Sequence, residues 1–140
     1  MLKKISGSRQ ETIEIGARLA KRLKKGSVIA LTGELGAGKT VLVKGIASGL
    51  GVRDTRYVNS PSFVIVKEHR GKIPLYHFDI YRLEEPMSLE TIGYDEYFYG
   101  NGVTVIEWAD KIKGLLPKAR IGIRLLIRRD GSREIRVKGI

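Results

Sequence analysis

The chain contains no cysteine. That excludes a disulfide framework, a thiolate zinc site, an iron–sulfur cluster and a thiol nucleophile. Only two histidines occur, too few for a His-rich metal centre. Long apolar runs are missing as well: Val28–Leu31 and Phe63–Val66, four residues each, are the longest. A transmembrane helix needs about 20 apolar residues, so none is expected. Met1–Gly7 carries two lysines with no apolar run behind them, which does not match a secretory signal. The chain reads as soluble and cytoplasmic.

The 140 residues fit a single domain over 1–140 with a core of its own. Lys plus Arg number 26 against 15 Asp plus Glu, a net charge of +11. The charge is segregated. Residues 1–70 hold 14 basic and 5 acidic groups, net +9; residues 71–110 hold 2 and 8, net −6; residues 111–140 hold 10 and 2, net +8. A basic body around an acidic centre fits polyanionic partners plus a separate acidic site, or simply a solvated surface.

Ser8-Arg9-Gln10-Glu11 reads as a capping box. The helix after it carries Ile13, Gly16, Ala17, Leu19, Ala20 and Leu23 on one face and stops at Gly26. Ser27–Thr32 reads as a buried strand, followed by a Gly-rich turn and a helix to about Leu50. Further strands are expected at Phe63–Val66, Ile73–Ile80 and Val103–Ile106, with a helix from Pro86 or Ser88 to about Phe98. Alternation from Ile121 to Ile127 and from Ile135 to Val137, around Asp130-Gly131-Ser132, predicts an antiparallel hairpin. The whole predicts an α/β fold in three layers, with a mostly parallel sheet, antiparallel edge strands and a C-terminal hairpin.

Gly33-Glu34-Leu35-Gly36-Ala37-Gly38-Lys39-Thr40 matches G-x-x-x-x-G-K-[ST] in full, between a predicted strand and a predicted helix. The glycines let backbone N–H groups turn inward around phosphate oxygens, and the helix N-terminus, from Val41 on, adds donors and a dipole. Lys39 supplies charge to the outer phosphates and Thr40 a hydroxyl for Mg²⁺. No Asn-Lys pair occurs, so the N-K-x-D base-reading motif of GTPases is absent and ATP is the expected nucleotide. The loop needs a carboxylate at the end of a neighbouring strand to act on Mg²⁺. Glu107, ending the more apolar strand, is the closer match, and Asp79 could orient water or act on the Mg²⁺ shell through water. A salt-bridge role is the alternative for either. Asn59-Ser60-Pro61-Ser62 reads as a switch loop or a plain turn. His69 reads as a surface residue, His77 as a packed strand histidine and Trp108 as a core or pocket aromatic. Tyr94, Tyr97, Phe98 and Tyr99 read as core or as a partner face.

Thr12–Gly16, Gly33–Thr40, Ser60–Phe63, His77-Phe78-Asp79-Ile80-Tyr81-Arg82-Leu83 and Glu107–Lys111 together resemble the bacterial TsaE (YjeE) family, small ATPases of tRNA threonylcarbamoyladenosine biosynthesis. The likeness covers nearly the whole chain, and H-F-D-x-Y-R-L with V-x-E-W is its most specific part. It implies that Lys39 and Thr40 bind phosphate and Mg²⁺, that Glu107 is a metal ligand, and that Asp79 serves nucleotide binding or hydrolysis. It further implies that Trp108 supports the site and that the Ser60–Ser62 loop is a switch. The family's usual threonine is Ser62 here, which keeps the hydroxyl and loses the methyl. Arg133 is a further candidate nucleotide contact. The resemblance implies work with TsaB and TsaD, which transfer threonylcarbamoyl to tRNA, with tRNA met through that complex or directly, and no membrane role. A small-molecule P-loop kinase is the competing reading. It would need an Arg-bearing lid, whereas Arg124, Arg128, Arg129, Arg133 and Arg136 fall in the predicted hairpin. A nucleic-acid-binding module driven by charge is the third, without a recognisable RNA-binding motif.

Overall fold

The computed structural model describes residues 1–59, 65–83 and 88–140. Among them, seven strands form one sheet: β1 (Leu2–Ser6), β2 (Val28–Gly33), β3 (Val66–His69), β4 (Leu75–Asp79), β5 (Val103–Glu107), β6 (Ile121–Ile127) and β7 (Arg133–Lys138). Their spatial order is β1-β7-β6-β2-β5-β4-β3. The central strands β6, β2, β5 and β4 run parallel. Strands β7 and β1 extend one edge antiparallel, and β3 closes the other edge antiparallel. The sheet is mixed, with the expected parallel centre, antiparallel edges and C-terminal hairpin.

The strand β2 shows why the fold has three layers. Its residues alternate between two cores: Ile29 and Leu31 face helices α1 (Arg9–Ala20) and α2 (Lys39–Gly49), while Val28 and Ala30 join the opposite core. That second core is closed by α3 (Ser88–Thr91), α4 (Tyr94–Phe98) and a 3-10 segment, Ala109–Leu115, through Leu89, Phe98, Ala109 and Ile112. A strand buried on both faces reads as a continuous apolar run, which is how Val28–Leu31 stood out in the sequence.

Ser8 caps α1 by accepting from the Glu11 amide at 3.1 Å, and Glu11 in turn accepts from the Gly7 amide at 2.9 Å. The buried stripe of α1 is Thr12, Ile15, Gly16, Leu19 and Ala20, so the expected face is rotated away from Ile13 and Ala17. Ile13 and Ala17 instead meet α2 through their backbones. A Cβ on Gly45 would sit 2.2 Å from the Ile13 carbonyl oxygen, and one on Gly16 would sit 2.6 Å from that of Leu42. The two backbones touch, and only glycine permits it.

One element is new and two expectations change. The N-terminal strand β1 was not apparent because Lys3 and Lys4 interrupt its apolar residues; it forms by pairing Leu2–Ser6 along β7. The expected strand at Phe63–Val66 starts later, at Val66. Phe63 and Val64 lie outside the described residues, and Ile65 has φ +68°, which is incompatible with strand geometry. The expected helix to Phe98 is two short helices, parted where Gly93 takes φ +69°.

Candidate functional site

The parallel strands β2, β4 and β5 end at the same edge of the sheet, where ligands of α/β folds collect. Register places Glu107 beside Leu31 on one side and Asp79 on the other. Both carboxylates therefore stand next to the loop that leaves β2 at Gly33 and enters α2 at Lys39. The loop is held open by glycine. Gly36 and Gly38 have φ of +82° and +100°, and a Cβ on Gly36 would meet nothing within 4 Å. Unlike α1, helix α2 has no side-chain cap, so its first amides remain available to an anion.

Lys39 is 5 % exposed. Its ammonium donates to the carbonyls of Gly33 at 2.7 Å and Glu34 at 3.0 Å, and lies 4.1 Å from the centre of the Trp108 ring. Burial pushes its pKa below the ordinary lysine value, and the carboxylates of Glu107, Asp79, Asp110 and Glu34 oppose the shift. Trp108 reaches this position through a left-handed backbone, φ +64°, and stacks at 4.8 Å on Tyr81. Lys39, Thr40, Val41, Asp79, Glu107 and Trp108 line one cavity of ≈ 430 Å³, together with Leu35, Tyr81 and Arg82.

Thr40 Oγ1 donates to both oxygens of Glu107 at 3.1 Å. The imidazole Nε2 of His77, completely buried, lies 2.5 Å from Glu107 Oε2. With an N–H there, His77 fixes the carboxylate plane. Asp79 is itself 4 % exposed and accepts from the Tyr81 amide at 2.9 Å. A hydroxyl and a carboxylate meeting at one point, beside an open phosphate-shaped loop, fit Mg²⁺. This ion takes one or two protein oxygens and fills its octahedron with water and phosphate oxygens.

The predicted residues separate by role. Glu34 supplies a carbonyl to Lys39, and Leu35 stands 72 % exposed at the loop tip. Ala37 is wholly buried, so its methyl belongs to the core and only its backbone faces the loop. Arg133 donates to the carbonyls of Ala37 at 3.1 Å and Gly36 at 3.2 Å, bracing the loop from behind. There it borders a second cavity of ≈ 300 Å³ with Ser8, Arg9 and Gly38. Ser62 and the rest of the Ser60–Ser62 loop lie outside the described residues. His69, expected at the surface, is 7 % exposed. Of the aromatics at 94–99, Tyr94, Tyr97 and Phe98 pack edge to face within the second core, and Tyr99 is exposed. The sequence reading missed His77 as a partner of Glu107. The available signal was its i, i+2 spacing from Asp79, which puts both on one face of β4.

A glycine-lined loop between a parallel strand and an uncapped helix, with carboxylates at adjacent strand ends, defines a P-loop NTPase-like α/β protein. The profile described as "Threonylcarbamoyl adenosine biosynthesis protein TsaE" matches residues 6–135, and the chain belongs to the TsaE family. It is 48 % identical over 127 residues to the tRNA threonylcarbamoyladenosine biosynthesis protein TsaE of Bacillus subtilis, covering 90 % of this chain and 78 % of that protein. The protein of the same name from Treponema pallidum is 41 % identical over 133 residues, covering 95 % and 97 %. The crystal structure of Bacillus subtilis YdiB superposes with a TM-score of 0.81 at 41 % identity, over 96 % of this chain and 82 % of that one.

Proposed function

We propose that this chain is a cytoplasmic, Mg²⁺-dependent ATPase subunit of the threonylcarbamoyl modification of adenosine in tRNA. It works with the TsaB–TsaD pair and is not itself the transferase. The observation that carries the reading is the convergence of Lys39, Thr40, Glu107 and Asp79 on one cavity at the glycine loop. Bound ATP, with Mg²⁺, supplies the transferable phosphoryl group and the charge that the site neutralises.

The residues divide the task. Loop amides and Lys39 bind phosphate oxygens, an anion that also offsets the cost of burying the lysine. Thr40 and Glu107 hold the cation, with His77 keeping the carboxylate in plane. Asp79 is the group that orients water, and Trp108 walls the site against Lys39. Arg133 keeps the loop shaped by holding its outer carbonyls. A kinase reading needs a mobile Arg-bearing lid. The hairpin arginines instead lie on the paired strands (Arg124, Arg133 and Arg136) or in the turn that joins them (Arg128 and Arg129), with the Arg133 guanidinium on the loop carbonyls.

Calorimetric titration with Mg-ATP tests the assignment. The wild-type chain binds, and Lys39→Ala, folded by circular dichroism, does not. Equal affinity in the two removes the loop as the nucleotide site. Phosphate recovered on an organic acceptor rather than in water supports the kinase.

A further inference from the structure

The sheet places a row of like charges where sheets ordinarily avoid one. In the register of the antiparallel edge, Lys3 stands opposite Arg136, and Arg136 stands opposite Arg124. Like charges directly opposite each other destabilise a strand pair. With strands about 4.8 Å apart, three cationic stems start within about 10 Å. One step along, Lys138 lies opposite Gly122, where a Cβ would meet nothing within 4 Å. The only carboxylate among these strands' residues on this face is Glu134. It is shared by Lys3 at 3.5 Å, Arg128 at 3.6 Å and Arg136 at 2.6 Å, and no ion pair within 4.0 Å reaches Arg124 or Lys138 among the described residues.

This face is distinct from the loop site. Ile123, Leu125, Ile135 and Val137 turn inward toward α1 and α2, so Arg124, Arg136 and Lys138 turn to the opposite side. No residue of β1, β6 or β7 is part of the second core. A groove of ≈ 300 Å³ runs there, bordered by five cations, Lys113, Arg120, Arg124, Arg136 and Lys138, and one carboxylate, Asp110, with Gly122 in its floor. It continues past Arg124 to Gly33 and Trp108 at the base of the glycine loop.

We propose that this open sheet face binds the phosphate backbone of RNA. The inference rests on the reading above, which puts the chain in tRNA modification. A continuous string of fixed negative charge matches a cation row to which these strands offer a single carboxylate, Glu134, and guanidinium forks match phosphate oxygens. The bare backbone at Gly122 lets a strand lie close. An acidic protein segment, with separated and flexible carboxylates, matches a continuous row less well.

The test is anisotropy of a fluorescein-labelled tRNA transcript with the full chain across a salt series, with nucleotide affinity measured on the same preparations. The triple variant Lys3→Gln, Arg124→Gln, Lys138→Gln leaves the Arg136–Glu134 pair and the loop site intact. It is compared with Lys21→Gln, Lys24→Gln, Lys25→Gln, which removes equal charge at the end of α1. The sheet triple is expected to bind about tenfold more weakly with a shallower salt slope, and the control to lose less than about threefold. Should the sheet triple not fold, Arg124→Gln and Lys138→Gln singly are each expected to lower the slope by about one. Equal loss in both triples, salt-insensitive binding, or no binding by the wild type overturns the proposal. So does displacement of the RNA by poly-glutamate at equal charge, which identifies an acidic protein partner instead. Loss of Mg-ATP affinity in every preparation, with RNA binding intact, overturns the nucleotide reading alone.

Discussion

Glu107 is held from two sides, by the Thr40 hydroxyl and by the His77 ring. His77 Nδ1 has no partner among the described residues, so the ring's one polar anchor among them is that carboxylate. Replacing His77 by Leu is expected to raise the Mg²⁺ concentration needed for tight nucleotide binding by about tenfold, the usual effect of losing a group behind a metal ligand. His77→Gln, which keeps an N–H near the same place, is expected to restore most of it. Trp108, the only tryptophan and 4.1 Å from Lys39 Nζ, gives the fluorescence signal for both titrations. An unchanged Mg²⁺ midpoint in a folded His77→Leu chain contradicts the orienting role. Glu107→Ala is expected to shift the same midpoint further and cut turnover, while Asp79→Ala cuts turnover with a smaller shift; the reverse order exchanges the two roles. At this scale the loop residues were legible because each carries its chemistry in a fixed local spacing. The His77–Glu107 pair was not, because its members are 30 positions apart and meet only through the β4–β5 register.

At the scale of elements, the helix pair α1–α2 sets the position of the loop's own helix. Its contact depends on Gly16, Gly45 and Gly49, whose added Cβ atoms would meet backbone or Ala20 at 2.2–2.6 Å. Gly45→Ala gains helix propensity but forces α2 away from Ile13. Overpacking of this kind costs about 1–3 kcal/mol, and urea unfolding is expected to show a lower midpoint with an unchanged slope. A neutral or stabilising result contradicts the close approach. Strand β2, helix α2 and the hairpin were legible because periodicity and turn residues agree there. Strand β1 was not, since an edge strand with Lys3 and Lys4 has no apolar alternation; its place comes from five residues of β7. The break at Gly93 was also hidden, because glycine inside a helical pattern signals either tolerance or a stop.

For the whole molecule, the segregated charge of the sequence becomes geography. The acidic stretch supplies Asp79 and Glu107 to the loop edge, and the basic C-terminal stretch supplies the open sheet face. Which face those cations share was not readable without the register. Stability also carries a pH signature. His69 is buried, and burial, then His77 and Lys67, lower its pKa from 6.5. The unfolded chain therefore binds a proton that the native chain resists. Stability contributed by neutral His69 is complete above pH 6.5 and declines as pH falls from there toward the lowered native value. The urea midpoint is expected to drop between pH 7.5 and 5.5, by less in His69→Phe; equal drops contradict this origin.

The function proposed for this chain is that of an ATPase serving a larger tRNA-modifying assembly. Phosphate release from Mg-ATP by the purified chain, alone and with TsaB plus TsaD added, tests it most directly. Slow release that rises with the partners and vanishes in Lys39→Ala is the predicted result. Release indifferent to the partners, or unaffected by Lys39→Ala, contradicts it.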